Sequence, residues 1–99
     1  MTHCLMLPVE ITIYVASELR ASWLQWLDGD AGDGPEAVAD GHAVEEIDAA
    51  GLQCLLALSR SLEVRRQRLR LERPSDALHQ ACRRLGAGHL LAPPEGVSA

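Results

Sequence analysis

Asp48 stands directly before Ala49, Ala50 and Gly51, and a long apolar run begins at Leu52. An aspartate in that position caps a helix, because its carboxylate accepts from first-turn N–H groups that lack intrahelical partners. The same end of a helix favours negative charge, so a hydroxyl there would suit a phosphate. Ala49 and Ala50 supply only methyl groups. Other residues with chemical potential lack company. His79 and Cys82 lie three apart and His3-Cys4 opens the chain, but a structural zinc site needs four ligands at recognisable spacing and there is no CxxC pair. No metal is expected. Cys54 sits inside the apolar run, which points to an inert thiol. The serines have no favourable local sequence. Glu45-Glu46 lead into a helix, where acid complements the positive end of the dipole. The glycine-containing stretch GDGPEA lacks a following Lys-Ser/Thr, so no phosphate loop is present. The expectation is a chain with no catalytic residues and no cofactor.

Charge bounds the partners. The 99 residues carry a net charge of −5, which argues against nucleic acid. The charge is segregated. Residues 28 to 48 hold eight carboxylates and no base, whereas residues 60 to 73 hold six arginines against two glutamates. Solvated surfaces account for most such runs, although a partner can read either one. No stretch is apolar for the ~20 residues that span a bilayer. The start, MTHCLMLPVEITIY, lacks the basic and continuously apolar regions of a signal peptide. Three cysteines in no pairing pattern fit free thiols. A cytoplasmic protein without direct membrane insertion is expected.

The elements that must position Asp48 follow from periodicity. Leu5, Leu7, Val9, Ile11 and Ile13 alternate with Met6, Pro8, Glu10 and Thr12, predicting a strand with the odd positions buried. Pro8 suggests an edge or an irregular start. Residues 16 to 27 place Leu19, Trp23, Trp26 and Leu27 on one helical stripe, with Ser17 as a possible cap. The tryptophans serve core packing or a small patch for self-association, so a homodimer is possible. Residues 28 to 35 form an acidic flexible loop and residues 36 to 40 a short strand. The next helix runs from about Ala49 to Arg65, with Leu52, Leu55, Leu56, Ser59 and Leu62 inward, widened by Cys54 and Leu58. Residues 68 to 73 alternate again, with Leu69 and Leu71 inward. Ser75 caps a last helix that buries Leu78, Ala81, Cys82 and Leu85 and ends at Gly86. Leu90 and Leu91 make a short strand or turn, and residues 92 to 99 are a frayed tail. Strand and helix alternate three times, which predicts an α/β domain with a largely parallel sheet.

Two stretches, VEEIDAAGLQCLLALSRSLEVRRQRLRL and PSDALHQACRRLGAGHLL, together with LPVEITIYVASELR, resemble the STAS domain, the family of sulfate transporters and anti-sigma-factor antagonists. The family pattern is a strand, then Asp-Ser/Thr-x-Gly-Leu opening a helix, a basic stretch, a strand and a terminal helix. The likeness covers about residues 5 to 91 of a single domain. It implies a mixed, largely parallel sheet of four or five strands with helices mainly on one face. It also implies a non-enzymatic, protein-binding adaptor of a bacterial signalling assembly, either anti-sigma-antagonist-like or chemotaxis-associated. A STAS subunit of a phospholipid-transport ABC complex is the alternative within the fold, and a nucleotide- or lipid-binding sensor is the alternative of another class. The implied partner is a kinase-like anti-sigma factor, a chemotaxis protein or an ABC ATPase subunit. In such regulators the residue after the aspartate is phosphorylated. Here Ala49 occupies the phosphoacceptor position, so the switch is lost. The expected docking surface is His42, Glu45, Glu46, Asp48, Ala49, Ala50, Gly51 and Gln53. A second departure is Val15, where the family often has a Thr paired with the glutamate three residues on, here Glu18. Loss of that cap costs ~1 kcal/mol, and Ser17 could recover it.

Overall fold

The computed structural model describes residues 4–29, 31–32 and 34–91. The expectations for His3, for part of the acidic loop (Asp30 and Asp33) and for the tail from 92 to 99 lie outside these residues. In chain order the elements are β1 (Leu5–Met6), β2 (Glu10–Ile11), α1 (Ala16–Gly29), β3 (Glu36–Asp40), β4 (Glu46–Ile47), α2 (Ala49–Val64), β5 (Arg68–Glu72) and α3 (Asp76–Arg84). A 3-10 turn at Ile13–Val15 leads into α1, and another at Gly88–Leu90 follows α3.

All strand pairs are parallel. One sheet has the order β1-β3-β5, and a second contains only β2 and β4. Leu91 adds a parallel bridge to Leu71 at the outer edge of β5, so both expectations for this segment, a turn and a strand contact, are met. The register sets Leu5, Ala39 and Leu71 in one row and Ala37 beside Leu69 in another. All five are buried in the same cluster as Leu52, Leu55 and Leu62 of α2. The alternate residues Met6, Glu36, Val38, Arg70 and Glu72 are exposed or half-buried. The helices therefore cover one face, and the other face remains polar, with Arg70 bonding Glu72 at 2.6 Å.

The expected first strand is split. Pro8 has no N–H to give to a ladder, and the chain changes neighbours around it. Leu7 still donates to the Asp40 carbonyl at 3.0 Å, whereas Val9 accepts from both Glu45 and Glu46, at 2.8 and 3.1 Å. Val9 and Ile13 consequently face outward, at 50% and 59% exposure, against the alternation. The strand β4 was absent from the pattern because a two-residue pairing leaves no periodic signature. Ser17 is no cap: it lies inside α1, and Thr12 accepts from Tyr14 N at 3.3 Å to start the preceding turn. Trp23 and Trp26 are core residues, at 4% and 6% exposure, which leaves no tryptophan patch for self-association. In α2 it is Leu58, more than Leu56, that is buried. In α3 Leu78 and Cys82 are buried and Ser75 caps as expected, with Leu78 N donating at 3.1 Å. Leu85 is 47% exposed, however, because the helix has ended at Arg84. Gly86 follows at φ +79°, a left-handed conformation that glycine adopts without steric cost. Burial pushes the Cys82 thiol up to about 11, consistent with an inert core side chain.

Candidate functional site

The acidic residues converge where the parallel strands end. Asp48 follows β4 in an extended conformation and caps α2. Its Oδ1 accepts from Gly51 N at 2.7 Å, and its Oδ2 accepts from Ile13 N at 3.1 Å. One carboxylate thus ties the start of α2 to the turn after β2. These two N–H groups, Gly51 first, hold the Asp48 carboxyl below its ordinary range. No described cationic side chain pairs with it, so its charge is held by backbone alone.

The structure sorts the eight expected surface residues. Glu45, Glu46, Ala49 and Gln53 are exposed, and Asp48 and Ala50 are half-buried. Gly51 is buried, and a Cβ there would lie 1.8 Å from the Ile11 carbonyl oxygen. It is glycine because β2 passes directly over the first turn of α2, and its role is to let the turn form. His42 is exposed yet engaged elsewhere. Its ring Nδ1 lies 2.7 Å from Asp40 Oδ1, and its backbone N–H donates to the same oxygen at 3.0 Å. Arg73 Nε donates to the other Asp40 oxygen at 3.0 Å. The bonds from His42, and then those from Arg73, drive the buried Asp40 carboxyl far below its usual range. Arg73 itself sits at φ +48°, a left-handed conformation uncommon for a residue with a Cβ, and it makes its ion pair with Asp40 from there.

Tyr14 is the residue that sequence reasoning missed. It is 88% exposed beside Ile13, the residue Asp48 holds by its N–H. Thr12 turns the chain immediately after β2, so the side chains that continue the strand pattern swing outward. Tyr14 lines one groove with the carboxylates of Glu10, Glu45, Glu46 and Asp48. The only signal in the sequence was Thr12 itself, a capping residue one step before Ile13.

Described residues of the segment before β3 are bonded to the end of α2 and the start of β5. Arg65 Nη1 donates to Leu27 O at 2.6 Å, and the buried Gln67 amide donates to the Gly32 and Gly34 carbonyls at 3.1 and 3.0 Å. Among the described residues, no three His, Cys, Asp or Glu side chains gather to hold a metal, and no helix is long and apolar enough to cross a membrane.

The STAS_2 family model, described as "Mlab, STAS domain", matches residues 3–92. No curated protein matches the chain. Among solved structures, the anti-sigma factor antagonist SpoIIAA in its unphosphorylated form superposes with a TM-score of 0.71. The two are 19% identical, and the match covers 96% of this chain and 82% of that one.

Proposed function

The chain belongs to the STAS domain family, and on that premise we propose that it is a non-catalytic, protein-binding adaptor that docks through the Asp48 turn. The observation that carries this reading is the state of Asp48 and its neighbours. A carboxylate fixed by backbone N–H groups, with no ion pair among the described residues, adjoins the exposed small side chain of Ala49. A methyl group there allows close approach by a partner backbone, and Gln53 and Glu46 supply polar contacts around it. His42 shapes this surface by anchoring the loop through Asp40, and Gly51 shapes it by admitting β2.

The adaptor belongs to a bacterial, cytoplasmic signalling assembly of the anti-sigma-antagonist or chemotaxis kind. Ala49 stands in the phosphoacceptor position and has no hydroxyl, so docking is not switched there by phosphate. The sensor alternative is disfavoured by charge, since four carboxylates surround the helix start where a phosphate-bearing ligand would have to sit.

The test is affinity capture from the native cell. Asp48 also holds the fold, so Ala49→Arg and Gln53→Arg are the informative variants: both positions are exposed and neither side chain has a described bond. The reading requires one protein to be captured by the unaltered chain and lost with both variants at unchanged melting temperature. A kinase-like anti-sigma factor, a chemotaxis protein or an ABC ATPase subunit would each select the assembly. Retention of every captured protein by both variants places docking elsewhere.

A further inference from the structure

An open groove runs between α3 and the rim formed by β2, β4 and the Asp48 turn. Glu10, Glu45, Glu46 and Asp48 line it, and Arg84 is the one base among its described lining residues. Tyr14 forms part of its edge. An occupant must therefore carry several positive charges around an apolar side chain.

The far end of α2 presents that combination. Val64, the last residue of α2, is 85% exposed. Arg65 and Arg66 follow it, and Arg68 opens β5; all three are exposed. Arg66 has φ +62°, so the chain reverses sharply at this point. Arg65 is tied to the Leu27 and Gly32 carbonyls, which stiffens the turn. The groove lies at the start of α2 and this turn at its end. A helix of 16 residues is about 24 Å long, so no chain can place its own turn in its own groove.

We propose that the groove takes the Val64–Arg68 turn of a second copy of this chain, with Val64 against the Tyr14 edge and Arg66 and Arg68 facing Glu45 and Glu46. The contact joins two different surfaces, so it is head-to-tail and builds an open chain or a ring. It uses Glu45, Glu46 and Asp48, which also belong to the partner-docking surface, so self-assembly and partner docking exclude one another. The inference does not depend on which partner docks.

Sedimentation equilibrium of the purified full chain tests it. At about 0.01 M salt the Debye length is roughly 30 Å and at about 1 M roughly 3 Å, so the average mass should rise with protein concentration only in the former. Two variants separate the surfaces. Glu45→Arg with Glu46→Arg disables the groove, and Val64→Ser with Arg66→Glu disables the turn. Each alone should weaken association about 10-fold or more, because like charges then face each other. Mixed, they should associate again, since the live groove of one meets the live turn of the other. That rescue also shows that both variants are folded. A chain that stays monomeric at low salt and millimolar concentration overturns the proposal, as does a mixture that forms no complex while both variants melt normally. Partner capture by the turn variant, whose docking surface is intact, is read separately, so failure here leaves the adaptor reading standing.

Discussion

Two turns at the same end of the molecule each hold an aspartate, and they hold it differently. Asp40, at the end of β3, is buried and bound by side chains: His42 on one oxygen and Arg73 on the other. Asp48, after β4, is bound by the backbone N–H groups of Gly51 and Ile13. The first turn closes its charge upon itself. The second fixes its charge in position without an ion pair among the described residues. A network complete in itself has nothing to offer a partner, and a fixed unpaired carboxylate does. On the proposed docking reading, the Asp40 turn is the support and the Asp48 turn the contact.

The sharpest way to break this comparison is to remove the backbone geometry on which the Asp48 turn rests. Gly51→Ala would set a methyl group 1.8 Å from the Ile11 carbonyl oxygen. Backbone on both sides cannot yield as a side chain would, so the loss of stability should exceed ~3 kcal/mol. Gly88→Ala has nothing within 4 Å of its Cβ and should be nearly silent. Urea unfolding of both proteins decides this, and a Gly51→Ala chain within 1 kcal/mol of the original, taking ~1 kcal/mol as the lower edge of overpacking costs, would remove the close approach from the account. Next in size is the support. Asp40→Ala strips the His42 and Arg73 bonds, for a cost of roughly 1–3 kcal/mol. Binding by this variant should fall as well, through disorder of the His42 loop rather than loss of a contact. Asp40→Asn should bind better than Asp40→Ala if the role is support.

Acid probes both turns at once. Each carboxyl has a folded-state pKa below its ordinary value. Such a group contributes its full stability above the unfolded carboxylate range, about pH 4, and loses it as pH falls through the folded value. Stability should therefore be level from neutrality to about pH 5 and decline below it. Removing Asp40, the more strongly depressed of the two, should flatten that decline more than removing Asp48. A steeper acid limb in Asp40→Asn would reverse the ranking. Guanidinium unfolding across this range, repeated for each variant, measures it.

The elements were legible where burial repeats over several turns. The stripes of α1, α2 and β5 and the caps Asp48 and Ser75 could be read because each rests on a local rule: helical spacing, alternation, or an oxygen beside orphan N–H groups. The alternation from Leu5 to Ile13 misled because it presumes one continuous partner strand, and β2 changes partner at Pro8. Position 51 could be seen to be glycine, but the reason, a carbonyl of another strand passing over it, exists only in three dimensions. The same holds for the site. Asp48 and Ala49 were readable from one turn of helix. Tyr14 was not, since its exposure follows from how Thr12 turns the chain. The bond from His42 to Asp40 was not legible either, because Asp40 is in turn paired with Arg73 across 33 positions of sequence.

Asp48 variants make a finer distinction. Ser or Asn at a cap commonly preserves a helix, since each keeps an oxygen for the first turn. Here two acceptors are in use. Asn keeps one oxygen for Gly51 N but turns its amide N–H₂ toward Ile13 N, and Ser reaches only one of the two donors. Both should melt several degrees below the original chain, with Asp48→Ala lowest, and Asp48→Asn should also dock more weakly because the charge is gone. Full docking by Asp48→Asn would reduce Asp48 to a cap and move the contact elsewhere.

The smallest expected effect on the fold carries much information about the site. Ala49→Ser restores a hydroxyl at the phosphoacceptor position on an exposed side chain with no neighbour to displace. Its stability should lie within about 0.5 kcal/mol of the original, and its docking should be unchanged while unmodified. If the captured partner is a kinase, incubation with ATP should phosphorylate Ser at 49 and nowhere else. The added charge of about −1.5 to −2 would then sit beside the Asp48 carboxylate and the three neighbouring acids Glu10, Glu45 and Glu46, and docking should fall sharply. Intact mass and a binding isotherm before and after incubation read both steps. A phosphate at 49 that leaves docking untouched would mean that the partner does not cover this position. The contrast between the two turns would then be one of folding alone.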